Sequence, residues 1–470
     1  MSARKPYENY HPGQKTTHSA PRKSIKVKQG RWLWLWLGFT GVAMLSATAG
    51  ALLAVSLSTT PLLQSKLSPA EDAMFRKGGS ISRTTMRLPE LTRPVNVLVL
   101  GTKVLTSDLD QEPEEDLGYH ALVNSFEGHS DTMLLLRFDA ENKKVAVLSI
   151  PRDTQTYVEG QGLTKINAAN YYGGPALSAK ATSDLLEGVG IDRYVRVNVQ
   201  GVEKLVDALG GVTVYVPKDM KYKDDSQHLY IDLKEGKQHL NGEQAMQFLR
   251  FRYDKYGDVG RVQRQQMLMR ALMEQALNPA TLGRLPKILS VIQSHIDTNL
   301  TVEELVALVG FGVQTKRSDM QMLMVPGSFS GTGQHEVSYW LPNRQRIQQM
   351  MAQYFDQGFG DRIKTDPTYL RVAIQDSTGE PEAVQSLVST LREAGYRNVF
   401  VSESWREPLR VTRIVAQQGD DSSASDLRDE LGFGDVRVES TGSLNSDVTI
   451  QLGQDWLQKQ ESSEKRFFSF

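Results

Sequence analysis

The sequence predicts an α/β protein of layered helices and strands, and three observations carry that reading. Short continuous apolar runs at Asn96–Gly101, Thr132–Phe138 and Lys144–Ile150 have strand length and no alternation, as strands covered on both faces do. Helical patterns follow at about Ala176–Leu186 and Val202–Leu209, the second closed by Gly210 and Gly211. From Leu370 onward the chain alternates strand and helix again on a smaller scale, which predicts a second, small α/β domain.

In chain order, residues 1–31 come first and hold eight Lys or Arg against Glu8, a basic tail of +7 on a chain whose overall charge is −1. Residues 32–63 contain no charge and exceed the roughly 20 residues that span a bilayer. Trp32, Trp34 and Trp36 give this segment an interfacial collar, so it reads as one transmembrane helix with a cytoplasmic N-terminus and the remaining chain outside. A cleaved signal peptide is the competing reading, but its apolar core would be shorter, about 7 to 15 residues. Residues 64–94 have no clear period and are expected to be a membrane-proximal linker. With no cysteine anywhere, disulfide frameworks, thiolate zinc sites and cysteine nucleophiles are excluded.

The first domain is expected over 95–356. Besides the runs above, strands are predicted at Tyr194–Val199 and Val212–Val216. Asn241 and Gln244 form a capping box for a helix through about Phe248. Another helix runs from near Arg261 to about Leu277 with Met267, Leu268 and Leu272 as core residues, and helices at Val302–Leu308 and Gln345–Tyr354 close the domain. After a linker at 357–369, the second domain (370–453) reads as strand Leu370–Asp376, helix Glu382–Ala394, strands Asn398–Val401 and Thr412–Gln417, helix Ala424–Leu431 and strands Val436–Val438 and Val448–Gln451. Residues 454–470 are expected to be a tail.

The chemistry concentrates between Leu249 and Gln266, where Arg250, Arg252, Arg261 and Arg264 fall within one short stretch. On an extended segment Arg250 and Arg252 would project to one side with Phe251 inward. Arg261 and Arg264 would share a face at the start of the following helix, where cations oppose the macrodipole and a bound phosphate reverses that cost. The plain alternative is a solvated face with Asp254 and Asp258 as salt-bridge partners.

The motifs SDTMLLLRFD (Ser130–Asp139), SIPRD (Ser149–Asp153), KINAA (Lys165–Ala169), DALGGV (Asp207–Val212), LNGEQAMQFLRFR (Leu240–Arg252) and GRVQRQQ (Gly260–Gln266) together resemble the LytR-CpsA-Psr family of cell-envelope proteins. The second domain resembles the LytR-type C-terminal domain that accompanies it. The resemblance implies a membrane-anchored α/β/α domain with a central mixed sheet and an apolar tunnel for a polyprenyl chain. It also implies an extracytoplasmic phosphotransferase that moves a glycopolymer from a polyprenyl-pyrophosphate carrier onto peptidoglycan, with Mg2+ at the pyrophosphate. By motif match, Asp131 is the implied metal ligand, and Arg152, Arg250, Arg252 and Arg261 are the implied catalytic pyrophosphate contacts. Arg264, Gln265 and Gln266 are implied helpers at the substrate, while Lys165 and Asn167 either touch phosphate or order their loop.

Two positions depart from the family pattern. Lys103 stands where the family usually has an acidic residue after the first strand, and His129 stands where it usually has arginine. A lysine there supplies a point charge to phosphate, and a histidine makes any phosphate contact sensitive to pH near 6.5. These departures keep open a second reading, a non-catalytic membrane-tethered protein that binds polyprenyl phosphate. The basic tail attracts membrane lipid or nucleic acid only nonspecifically, since its 31 residues hold neither a helix-turn-helix pattern nor a zinc module.

Overall fold

The computed structural model describes residues 62–75, 80–83, 89–102, 125–225, 229–251, 258–276, 278–316, 319–330, 338–357, 366–417, 419–443 and 445–467. The basic tail, nearly all of the predicted span at 32–63, Lys103 and Arg252 lie outside the described residues. Among the described residues no helix is long and apolar enough to cross a membrane.

A mixed sheet organises the first domain. Its strands are β1 (Val95–Thr102), β2 (Ser130–Asp139), β3 (Lys144–Ile150), β4 (Arg193–Asn198), β5 (Ile296–Thr298) and β6 (Met320–Met324), in the spatial order β5-β4-β1-β2-β3-β6. β1 pairs antiparallel with β2 and parallel with β4, while β3 pairs antiparallel with β2 and parallel with β6. Between β2 and β3 the DAENK stretch turns as expected, with Asp139 accepting from the Asn142 amide at 2.9 Å.

Both faces of the sheet are covered, which is why the strands lack alternation. On one face Leu98, Leu100, Met133, Leu135 and Leu148 pack with helix α1 (Ala168–Leu185) and a later helix, Arg344–Phe355. On the other, Leu134, Val145 and Val147 meet Met269, Met273 and Phe311. That face carries α2 (Val199–Leu209), α4 (Asp258–Ala276), α5 (Leu285–His295) and α6 (Val302–Gln314), α3 (Gly242–Arg250) packs with α2, α4 and the smaller strands beside it, and Arg344–Phe355 on the first face is α7. Gly210 ends α2 in the left-handed region at φ 86°, and the Asn241–Gln244 box opens α3 with reciprocal bonds of 2.9 and 3.1 Å.

Val212–Val216 is a strand as expected and pairs with Gly236–Leu240 in a separate two-stranded sheet. The structure differs from the sequence reading in the described parts of 64–94, which pack on the first domain instead of acting as a linker. The Thr298 amide donates to the Leu63 carbonyl at 3.0 Å, and Asp297 accepts from the Ser65 amide at 2.7 Å and from Arg196 Nε at 2.6 Å. Phe75 and Ile81 are buried in the core. The cause is the buried Arg196–Asp297 pair on neighbouring strands, whose remaining hydrogen-bonding capacity recruits Ser65.

The second domain has a five-stranded sheet of β7 (Arg371–Asp376), β8 (Asn398–Val401), β9 (Arg413–Ala416), β10 (Asp435–Val438) and β11 (Val448–Leu452), ordered β8-β7-β11-β9-β10. Helices α8 (Pro381–Glu393) and α9 (Asp421–Leu431) pack on it. The expected tail at 454–470 opens instead with helix α10 (Gln454–Phe467). Trp456 accounts for this: it is buried in the domain core, stacks on Phe433 with centroids 5.1 Å apart, and donates from Nε1 to the Ala383 carbonyl at 3.0 Å.

The two domains share a polar seam. Asp447 of the second domain accepts from Arg346 on α7 at 2.7 Å and from Arg371 at 2.9 Å. The Tyr354 hydroxyl donates to the Gly419 carbonyl at 2.7 Å, and Arg270 on α4 pairs with Glu439.

Candidate active site

The site begins at an irregularity in β2. Gly101 of β1 faces Thr132 and Thr102 faces Ser130, so Asp131 is the extra residue of a β-bulge. Such bulges re-aim a side chain out of the strand's alternation. Asp131 Oδ1 accepts from Arg152 Nη1 at 2.7 Å. Both side chains keep partial access to solvent.

Arg152 is set by the turn after β3. The Thr154 amide and hydroxyl close back on the Pro151 carbonyl at 2.9 and 2.6 Å, and the Asn167 amide donates to the Arg152 carbonyl at 3.3 Å. Asp153 lies 3.5 Å from Arg152 Nε and 2.8 Å from Lys165 Nζ. Lys165 therefore orders this turn through a carboxylate. Asn167 precedes α1 without a side-chain cap, and its carbonyl accepts from the Ser130 amide at 3.3 Å, tying the turn to the bulged strand.

Two clefts meet at Asp131, Thr132 and Gln265. One, about 820 Å³ counted to its open mouth, runs from Asp131 and Arg152 between the sheet and α4 and is mainly apolar, with Met133, Leu134, Met269 and Met322 in its walls. The other, about 930 Å³, holds Arg250 at its edge together with Asn198, Tyr222 and Leu249. Arg250 is the last residue of α3 rather than part of an extended segment, and Phe251 after it adopts extended backbone, with its ring buried as expected. α3 runs through Arg250, two residues past its expected end, and closes with the Phe251 amide donating to the Gln247 carbonyl.

Arg264 is buried. Its Nη2 donates to the Phe251 carbonyl and its guanidinium lies over the Phe251 ring, 5.8 Å from the centroid. It braces the backbone immediately after Arg250. Gln265 lies where the clefts join, and Gln266 is buried beside Met324. Arg261 occupies the first turns of α4, three residues beyond the helix start at Asp258. His129 lies outside both sets of cleft residues, exposed and stacked on Tyr171 with centroids 5.1 Å apart. Lys103 and Arg252 are outside the described residues.

Among the described residues no group of three or more His, Cys, Asp or Glu is placed to hold a metal. Asp131 is the carboxylate where the clefts join, with Asp153 further along the first. One carboxylate suits magnesium, which commonly takes one or two from the protein and the rest from phosphate and water. Sequence reasoning missed Thr132, Met269 and the second-domain residues Ser440 and Thr441 in the first cleft's wall. The apolar run signalled Thr132 only as a strand residue, and no local signal marks the other domain's contribution.

The fold is thus an α/β protein in which a bulged acid lies where an apolar cleft lined by Arg152 meets a second cleft lined by Arg250. The chain belongs to the LytR_cpsA_psr family, whose model matches residues 64–356, and a LytR cell envelope-related transcriptional attenuator model matches residues 369–456. It is 32% identical over 241 residues to the polyisoprenyl-teichoic acid–peptidoglycan teichoic acid transferase TagV of Bacillus subtilis (strain 168), covering 49% of this chain and 60% of that protein. It is 34% identical over 203 residues to the regulatory protein MsrR of Staphylococcus aureus (strain COL), covering 43% and 60% respectively. The crystal structure of B. subtilis TagV matches at 27% identity and TM-score 0.47, over 57% of this chain and 99% of that one. The matched stretch thus spans about 60% of the length of these two curated relatives.

Proposed function

We propose that this chain is a phosphotransferase that moves a glycopolymer from a polyprenyl-pyrophosphate carrier to peptidoglycan outside the membrane, anchored by the predicted span at 32–63. The observation that carries the reading is the Asp131–Arg152 pair at the mouth of an apolar cleft, with Arg250 lining the cleft that joins it. A polyprenyl pyrophosphate has the matching halves, a charged head for the arginines and a hydrocarbon chain for the cleft.

Phosphoryl transfer depends mainly on positioning and charge stabilisation. Arg152 and Arg250 hold the pyrophosphate from two sides, joined by Arg252 and Arg261, and guanidinium forks match phosphate oxygens in geometry. The acceptor hydroxyl oxygen bonds to the phosphorus that carries the glycan as the bridge to the distal phosphate breaks. Polyprenyl monophosphate departs with the bridging oxygen and its electron pair, and the hydroxyl proton is released. Asp131 would hold Mg2+, which supplies charge neutralisation at the pyrophosphate when bound. Arg264 keeps the Arg250–Phe251 junction in place, and the Lys165–Asp153 pair fixes the Arg152 turn.

A non-catalytic carrier-binding protein is the second reading, favoured by Lys103 and His129 in the sequence. Purified full-length chain, a pyrophosphate-linked lipid oligosaccharide and peptidoglycan fragments, with magnesium or EDTA, separate the two. Magnesium-dependent product supports the transferase, whereas lipid retention without product in either condition supports the binder.

A further inference from the structure

The apolar cleft that ends at Asp131 and Arg152 is not made by the first domain alone. Ser440 and Thr441, on the turn after β10 of the second domain, belong to its lining. Both are buried, so they are part of a packed wall.

Several bonds fix this turn. Ser440 Oγ donates to the Gln417 carbonyl at 3.2 Å, the Gly442 amide donates to Gln417 Oε1 at 2.9 Å, and the Ser443 amide donates to Thr449 Oγ1 at 3.0 Å. A Cβ at Gly442 would fall 2.3 Å from Thr449 Oγ1, so glycine lets the turn lie this close to β11. Glu439, one residue before the wall, pairs with Arg270 on α4. That helix also carries Gln265 and Met269 on the same cleft. The pair therefore fixes the wall relative to the helix opposite the sheet.

We infer that the Glu439–Gly442 turn is a specificity element of the lipid site, the wall that sets how much hydrocarbon the cleft accepts behind the phosphate end. This rests on the carrier reading given above. The occupant is the polyprenyl chain, because the cleft is continuous with the arginine-lined mouth and its remaining walls are mainly apolar. Bulk at Thr441 narrows the cleft from the second-domain side, and a long prenyl chain, which needs more of the cleft than a short one, should lose more by it.

The test measures binding of a short-chain and a long-chain polyprenyl pyrophosphate to the full-length protein in detergent, for wild type, Thr441→Trp, Thr441→Val and Glu439→Gln. Thr441→Trp is expected to weaken the long-chain ligand about tenfold or more while leaving the short-chain ligand within about twofold, a size-exclusion effect of ordinary magnitude for an apolar pocket. Thr441→Val keeps the volume and the Glu439–Arg270 pair while losing the hydroxyl bond to Glu439 Oε2, and is expected to leave the ratio of the two affinities as in wild type. Glu439→Gln, which loosens the turn without adding bulk, is expected to reduce discrimination between the two lengths. Equal effects of Thr441→Trp on both ligands, or none, overturn the inference while the carrier reading stands. Absence of wild-type binding to either ligand overturns the carrier reading and the inference with it. If Thr441→Trp does not fold, unchanged discrimination in Glu439→Gln overturns the inference.

Discussion

Arg152 Nη1 donates to Asp131 Oδ1 across 2.7 Å, joining the turn after β3 to the bulge in β2. On the reading proposed above, each group holds the other in place until a pyrophosphate and a cation would separate them. A partly exposed pair of this kind contributes only about 0–1 kcal/mol to folding. Arg152→Ala, Arg250→Ala and Asp131→Asn are therefore expected to lower transfer by about a hundredfold or more, the scale of a lost charge-stabilising contact. Thermal unfolding should stay near wild type. Wild-type turnover in both arginine variants would sink the assignment, and Asp131→Asn is expected to lose its response to added magnesium.

Asn241→Ala removes half of the capping box that starts α3, the helix that ends in Arg250. The expected cost is about 1 kcal/mol of stability. Because the cap is one helix length from Arg250, KM for the carrier should rise more than kcat falls. A melt combined with steady-state kinetics checks both.

Asp447 joins the domains and predicts how the seam responds to acid. Burial alone would raise its pKa, but bonds from Arg371 and Arg346 outweigh burial and hold it below the ordinary aspartate value of 3.8. The stabilisation is complete above that ordinary value and is lost as pH falls through the lower folded one. Melting temperature should thus decline more steeply below about pH 4 in wild type than in Asp447→Asn. Identical profiles for the two proteins would refute the role given to this pair.

Asp297→Ala leaves Arg196 buried without its carboxylate and releases Ser65. Breaking one side of a buried pair costs about 3–5 kcal/mol. Removing residues 62–92 should also destabilise the first domain, since Phe75 and Ile81 leave its core. Equilibrium denaturation of both variants tests this, and a deletion as stable as wild type would restore these residues to the status of a linker.

How far the sequence could be read follows from how local each cause is. β3 and the opening of α3 were legible because a continuous apolar run and a capping box are written into neighbouring residues. β5 and β6 were not, since β5 is three residues long and is held by pairing with β4 about a hundred positions earlier. Whether Arg250 lies on a strand or a helix end was not legible, because arginines at i and i+2 suit either one. Asp131 was legible by resemblance but its bulge was not, because a bulge is a relation between strands. Ser440 and Thr441 have no chemistry that singles them out until the second domain is docked.

The bulge at Asp131 also separates chemistry from folding. In a regular strand each residue counts toward which face its successors present, and one residue more or fewer would turn the strand inside out. Asp131 lies outside that count, so Thr132–Asp139 keeps its facing whatever occupies position 131. On the reading proposed above, a descendant of this chain that changed the acid would keep the same strand facing and lose only what the acid does for the ligand.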